Sequence, residues 1–241
     1  MNKFTKIYGY HAAMHALCNK QREIKEVFIT RNAHKKITDD RKIDITIFNT
    51  KIVETKVLNN MLAGGQVHQG ILIISEKKKV IPINDYDFSN CQRVIFLDNV
   101  TDPRNIGAII RSCAAFNFTK IITTNKFEQL DEGMIAKASS GGLEHVEIIT
   151  SNNLSNCLNM LKRNKFWIIG FDSDAESTIE NTYFNNEDKI VLIFGDEGKG
   201  IRKLTKDLCD VTYRINTIGK IRSLNVSTAI GIILDRISAN Y

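Results

Sequence analysis

The sequence predicts an α/β protein with a mainly parallel sheet and helices on both faces, preceded by a smaller α/β module. Three observations predict it. From residue 93 onward, short runs rich in Ile, Val and Phe alternate with stretches of helical apolar period. Those runs are apolar on both faces, as strands are when helices cover both sides of a parallel sheet. Before them, the stretch KKKVIPINDYDFSN (77–90) combines clustered charge with Pro82 and separates two regions with their own strand and helix signals.

Each element follows from its residues. In the first region, residues 9–19 predict a short helix, KEVFIT (25–30) and DITIF (44–48) strands, 50–60 a helix, and GILIIS (70–75) a final strand. In the second region, RVIFLD (93–98) predicts a buried strand, and 105–116 a helix with Ile106, Ile109, Ile110 and Cys113 on one face. KIITT (120–124), a helix near 131–140, VEIIT (146–150), a helix at 154–164, FWIIGF (166–171) and KIVLIF (189–194) follow. A short helix begins near 201, VTYRI (211–215) is a strand, and a last helix covers 225–239. Its apolar stripe is Val226, Ala229, Ile230, Ile233, Leu234 and Ile237. The expected division is an N-terminal domain at 1–75, a linker at 76–90 and a main domain at 91–241.

Composition excludes several classes. With 43% apolar and 25% charged residues, the chain has enough apolar surface to offset chain entropy and is not a disordered sequence. Fourteen Gly and two Pro exclude collagen-like sequence. No apolar run approaches the length of a membrane span, and the first eighteen residues lack the apolar core of a secretion signal. Five scattered cysteines without a CxxC point to free thiols in a reducing cytoplasm. The net charge of +6 is unevenly spread. Residues 1–75 hold nine Lys and three Arg against three Asp and three Glu, EKKK (76–79) adds two more positive charges, and the remainder is slightly acidic. A basic first third suits a polyanionic partner; a solvated lysine-rich surface is the plain alternative.

Three segments, each following a predicted strand, carry candidate chemistry. LDNVTDPRNIGAIIRSCAAF (97–116) places turn-forming residues, then Pro103 and Asn105, at the start of a helix bearing Arg111. Gly107 and Ala108 lie one turn before Arg111, either clearing space beside the guanidinium or allowing close helix–sheet packing. LIFGDEGKGI (192–201) is a Gly-rich loop that lets backbone approach a ligand; it is neither a P-loop nor GxGxxG. SLNVS (223–227) packs Ser223, Asn225 and Ser227 into the entry of the last helix, and an N-cap accounts for one of the three. His11 and His15 have helical metal-ligand spacing, but no third ligand is evident, so no metal is expected.

Together the three segments resemble the SpoU (TrmH-like) family of RNA 2′-O-ribose methyltransferases: the patterns NvxDPxNxGAixRxaxxF, GxExxG and SLNvS stand in the family's order. IYGYHAAMHAL, EVFIT and VHQGI resemble the family's small substrate-binding domain, and SSGGLEHV (139–146) is also family-like. Within the family, the nearest likeness is to bacterial enzymes that methylate a guanosine ribose in the P-site loop of 23S ribosomal RNA. The resemblance implies S-adenosylmethionine as methyl donor, no metal, a homodimer, and a SPOUT domain with a deep trefoil knot behind a ribosomal-protein-like substrate-binding domain. It implies Asn105, Arg111, Glu197, Ser223, Asn225 and Ser227 as the catalytic set, and Gly195, Ile215 and Leu224 as cofactor contacts through backbone groups. Asn216 and Thr217 stand where the family commonly has Pro and Met, Asp196 stands where small residues are common, and against the family's pattern the small module looks trimmed between residues 31 and 44. Arginine is a demanding general base because of its high pKa, so Arg111 reads better as a phosphate clamp and a stabiliser of charge on oxygen. A tRNA substrate and a non-catalytic RNA-binding scaffold are the alternative readings.

Overall fold

The computed structural model describes residues 3–238 apart from 41–42, 63–64, 180–181, 183, 186–187, 197 and 199. Two sheets organise it. The first region contains β1 (Phe4–Tyr8), α1 (Tyr10–Cys18), β2 (Ile24–Ile29), α2 (Arg31–Asp40), β3 (Thr50–Ile52), α3 (Thr55–Met61) and β4 (Ile71–Glu76). Its strand order is β1-β4-β2-β3, antiparallel except for β2 with β3.

The second region contains β5 (Ile81–Pro82), β6 (Arg93–Asp98), α4 (Pro103–Ala115), β7 (Lys120–Thr124), α5 (Glu132–Ala138), β8 (Glu147–Ser151), α6 (Leu154–Arg163) and β9 (Trp167–Phe171). β10 (Ser177–Thr178), β11 (Ile190–Gly195), α7 (Lys203–Lys206), β12 (Val211–Arg214) and α8 (Val226–Ser238) complete it. The sheet runs β10-β12-β9-β11-β6-β7-β8-β5, and every pairing among the described residues is parallel.

Alternation along the strands fills a core on each face. Ile95 and Leu97 of β6 and Leu192 and Phe194 of β11 pack with the α4 and α8 residues Ile106, Ile110, Ile230 and Leu234. Val94 and Phe96, with Val191 and Ile193, pack on the other face with Leu158 and Leu161 of α6. The core on the α4 side is continuous with that of the small region, reaching Ile7, Ala13 and Ile73.

The seam between the two regions also holds buried ions. Arg22 bonds Glu132 at 2.7 Å and Glu144 at 2.6 Å, and all three side chains are buried. Nearby, His15 Nδ1 and His145 Nε2 lie 2.8 Å apart, so His15, the second of the two candidate metal histidines, is engaged by another histidine.

The small region departs from expectation in four places, the first being that it opens on a strand, β1, where none is expected. DITIF is not a strand: Ile45–Ile47 is a 3-10 turn, because the Asp44 carboxylate accepts the Thr46 N–H at 3.0 Å and its hydroxyl at 2.6 Å. The strand falls instead at Thr50–Ile52, at the start of the expected helix. The stretch read as trimmed carries α2, whose apolar side is only Ala33 and Ile37. Within the segment read as a linker, Ile81–Pro82 pairs with β8 and so extends the large sheet. Proline is tolerated there because the strand lies at the sheet edge.

Candidate functional site at the strand carboxyl ends

β11 inserts between β9 and β6, and the chain then crosses to β12 on the far side of β9. Strand order reverses at β6 and β11, and in open parallel sheets such a switch point is where ligands bind, beyond the strand carboxyl ends. A cavity of about 350 Å³ opens there. Its apolar wall includes Phe171, Phe194, Tyr213, Ile215, Leu224 and Val226, and its polar wall includes Asp172, Asp174, Asp196, Arg222 and Ser223. The Phe171 and Phe194 rings stack at 4.8 Å, closing its floor against the core.

Gly195, Ile215 and Leu224 all line this cavity, together with Ser223. Gly195 is required by close approach: a Cβ there would overlap the carbonyl of Gly200, where the chain folds back. That fold is held by the Gly200 N–H donating to the Asp196 carbonyl at 2.8 Å.

Asn105 and Asn225 come together across the entries of α4 and α8, Asn225 Nδ2 donating to Asn105 Oδ1 at 3.1 Å. The other end of the Asn225 amide caps α8. Its Oδ1 accepts the Ser227 N–H at 2.9 Å and the Ser227 hydroxyl at 2.6 Å. The helix entry therefore occupies Asn225 and Ser227 at once, while Ser223 faces the cavity.

Arg111 lies further along α4, is exposed, and is not among the cavity-lining residues. Glu197 lies outside the described residues. Gly107 faces α5, and a Cβ on it would overlap Ala138; its role is close helix–helix packing rather than the helix–sheet packing or ligand space expected. Gly142, in SSGGLEHV, meets the Arg111 backbone in the same way, its Cβ position 3.2 Å from Arg111 Cα.

The sequence motifs missed several residues of this edge. Asp98, fully buried at the end of β6, accepts the Arg202 backbone N–H at 3.1 Å, Arg202 Nε at 2.6 Å and the Thr205 hydroxyl at 2.8 Å. It ties the loop after β11 to β6. Asp172 stands at the matching place after β9 and lines the cavity. The available signal was an acidic residue ending an apolar run, in RVIFLD and again in FWIIGFD. Among the described residues no three His, Cys, Asp or Glu side chains gather as a metal site, and no helix is long and apolar enough to cross a membrane.

A parallel α/β sheet with a mixed polar and apolar cavity at its switch point defines a class: an α/β protein that binds a small organic ligand at the strand ends. Comparison with known proteins gives the particular member of that class. Residues 92–235 match the SpoU rRNA methylase family, and residues 6–80 match the domain described as RNA 2′-O ribose methyltransferase substrate binding. The chain is 34% identical over 226 residues to an uncharacterized tRNA/rRNA methyltransferase of Borreliella burgdorferi, covering 89% of this chain and 91% of that one. It is 32% identical over 242 residues to the 23S rRNA (guanosine-2′-O-)-methyltransferase RlmB of Haemophilus influenzae, covering 95% of each. Its fold matches the SpoU methyltransferase AviRb of Streptomyces viridochromogenes, solved in complex with AdoMet, with a TM-score of 0.76 and 16% identity over 98% of this chain and 90% of that one. The chain belongs to the SpoU rRNA methylase family. It is accordingly an S-adenosylmethionine-dependent RNA 2′-O-ribose methyltransferase.

Proposed function

We propose that this enzyme methylates the 2′-oxygen of a guanosine ribose in the P-site loop hairpin of 23S ribosomal RNA. Support for a guanosine of 23S RNA comes from relatives such as the Haemophilus influenzae enzyme, similar over nearly the whole chain, and the P-site loop is what the family resemblance implies. In this reading residues 1–75 dock the RNA, 76–90 join the parts, and 91–241 carry the methyl transfer. The observation that carries the chemistry is the convergence of Gly195, Ile215, Ser223 and Leu224 on one cavity beside the Asn105–Asn225 bond.

The cavity fits S-adenosylmethionine by its donor set. Phe171, Phe194, Ile215, Leu224 and Val226 offer apolar surface for a purine, and Asp172, Asp174 and Asp196 offer negative charge for an ammonium and a sulfonium. When bound, that molecule supplies an electrophilic methyl group. The protein's task is to bring a ribose hydroxyl into line with it and to manage the departing proton. Backbone groups at Gly195, Ile215 and Leu224 hold the donor. Arg111 clamps an RNA phosphate and stabilises charge growing on the 2′-oxygen, while phosphate or solvent takes the proton. Asn105 and Asn225 fix the two helix entries, Ser223 and Ser227 orient ribose and donor, and Glu197 positions the loop after β11.

The same reading includes a deep trefoil knot, a homodimer and a cytoplasmic setting. The chain between β12 and α8 borders the cavity before α8 packs against α4, which supports a threaded C-terminal end. Ile218 and Ile221, 99% and 76% exposed in that segment, support coverage by a second copy. Five free cysteines support a reducing compartment.

The test is transfer of radiolabelled methyl to unmodified 23S fragments and to tRNA, with the product nucleotide mapped. Label on one guanosine ribose of 23S RNA is the expected result. Label on tRNA alone would make this a tRNA enzyme. Donor binding without transfer to either RNA would make it an RNA-binding scaffold.

A further inference from the structure

We propose that a groove in the small region, between the start of α1, α2 and the Gly65–Gly70 loop, is the docking site for unpaired nucleotides of the substrate RNA. The proposal rests on the reading of this chain as an RNA methyltransferase and assigns the residues that hold the RNA.

The groove has a volume of about 580 Å³, and its lining includes Tyr10, Asn32, Lys36, Asn59, Gln66 and Val67. Among its described lining residues none is a carboxylate. Lys36 Nζ sits 4.0 Å above the Tyr10 ring, joining a cation to an aromatic face. Arg31 and Lys35, one helical turn apart and both exposed, extend the cationic side of α2 beyond it. Val67 is 68% exposed at the loop tip. Cations for phosphates, amides for base edges, and an apolar tip for a base face are what single-stranded RNA recognition requires. The larger polar cavity near Asn152 and Asn156 lacks this bias, since Glu128 there offsets Arg163.

The loop is built to hold a fixed shape. His68 is buried; its Nδ1 accepts the Gly70 N–H at 3.0 Å, and its Nε2 pairs with Asn59 Oδ1 at 3.0 Å. Gln69 Oε1 accepts both the Tyr10 N–H at 2.9 Å and Lys137 Nζ at 3.0 Å. Lys137 belongs to α5, which packs on α4, the helix of Asn105 and Arg111. RNA seated in the groove is thereby referenced to the methyl-transfer edge.

The experiment measures binding of the full chain to two fluorescent RNAs, a hairpin from the 23S P-site region and a blunt duplex of equal length, across a salt series. Methyl transfer by the same preparations is measured in parallel. Lys36→Glu should weaken hairpin binding by at least about tenfold and flatten its salt dependence. Asn32→Ala with Gln66→Ala should remove the preference for hairpin over duplex. Lys20→Glu, the same charge change on an exposed residue outside the groove, should change binding less than about threefold. Equal losses for Lys36→Glu and Lys20→Glu, or variants that bind as the unmodified chain does, would overturn the groove while leaving the enzyme reading intact. Hairpin binding that depends on Lys36 without any methyl transfer would support the groove and overturn the enzyme reading. A chain that binds neither RNA would overturn both.

Discussion

Replacing Arg22 with Ala should be among the most damaging single changes in this protein, although Arg22 touches neither the cavity nor the groove. Its guanidinium reaches Glu132 at 2.7 Å through Nη1, Glu144 at 2.6 Å through Nη2, and the Glu76 carbonyl at 3.1 Å. Side-chain exposure is 3% for Arg22, 6% for Glu132 and 3% for Glu144, so water screens these charges little. Without Arg22, two buried carboxylates keep only neutral donors, Asn19 on Glu144 and the Lys78 N–H on Glu132, along with the more distant charge of Lys78. Removing one partner of a buried pair costs about 3–5 kcal/mol. With a urea slope on the order of 3 kcal/mol/M for a chain of this size, the unfolding midpoint should fall by about 1–1.7 M. The pH dependence gives a second check. Burial pushes the Glu144 carboxyl up, but Arg22 outweighs it and holds it below its ordinary 4.5. In the parent protein this contribution is therefore full above about 4.5 and is lost as pH falls through the lower folded value. In the variant the Glu144 carboxyl, freed of Arg22, shifts upward, so the deficit is full at pH 7.5 and shrinks toward pH 5. Replacing all three residues with Met should recover most of the loss, since well-packed apolar groups substitute for a buried ion cluster. Urea unfolding of all three proteins at both pH values measures it. A loss below about 1 kcal/mol in Arg22→Ala would refute the view that this cluster is a tightly coupled buried unit.

Three further outcomes are expected. Arg111→Ala should reduce methyl transfer by at least about 100-fold with donor affinity within a few-fold, and Arg111→Lys should stay poor because a point charge cannot replace the planar fork; single-turnover assays with calorimetric donor binding test both. Gly195→Ala should weaken donor binding at least about tenfold, with about 1–3 kcal/mol lost from stability, since the added methyl must push back the Gly200 carbonyl; calorimetry and urea melts separate the two effects. Burial, with the neighbouring His145 and His11, lowers the His15 pKa below 6.5, and burial with Lys137 does the same for His68. Both resist protonation when folded and accept it when unfolded, so stability should fall as pH drops below about 6.5 and level off below the folded values. Thermal unfolding from pH 7.5 to 5.5 should show a shallower slope for His15→Gln, and an unchanged slope would reject this origin.

The large sheet was legible because its strands are continuous apolar runs buried on both faces. RVIFLD and KIVLIF predict β6 and β11 within a residue of their observed limits. The small region was less legible for an equally physical reason. α2 buries only Ala33 and Ile37, too few positions for a clear helical period. DITIF has strand composition, but one Asp–Thr bond pair redirects it into a turn. β5 and β10 are two residues each, below the length at which alternation can be read. At the site, the family resemblance implied Gly195, Ile215 and Leu224, all of which line one cavity. Spacing could not show that Asp98 reaches Arg202 across 104 residues, or that Arg22 reaches Glu144 across 122.

Those long-range bonds bear on how a chain with so modest a net charge handles RNA. The cations of the small region and the helix of Arg111 lie on different parts of the fold, so they act together only if the seam is stiff. α5 supplies that stiffness from three sides. It contacts β1 of the small region, its Glu132 bonds Arg22, and its Lys137 bonds Gln69 of the groove loop. On its other side, Gly107 lets α4 approach it closely enough that a methyl group would not fit between them. A glycine that looked like part of the site in sequence is in structure part of the coupling between docking and chemistry. Gly107→Ala should therefore impair transfer to RNA more than donor binding, because the change spreads α4 from α5 while the cavity on β9, β11 and β12 is left in place. Equal loss of both would place Gly107 in the donor site after all.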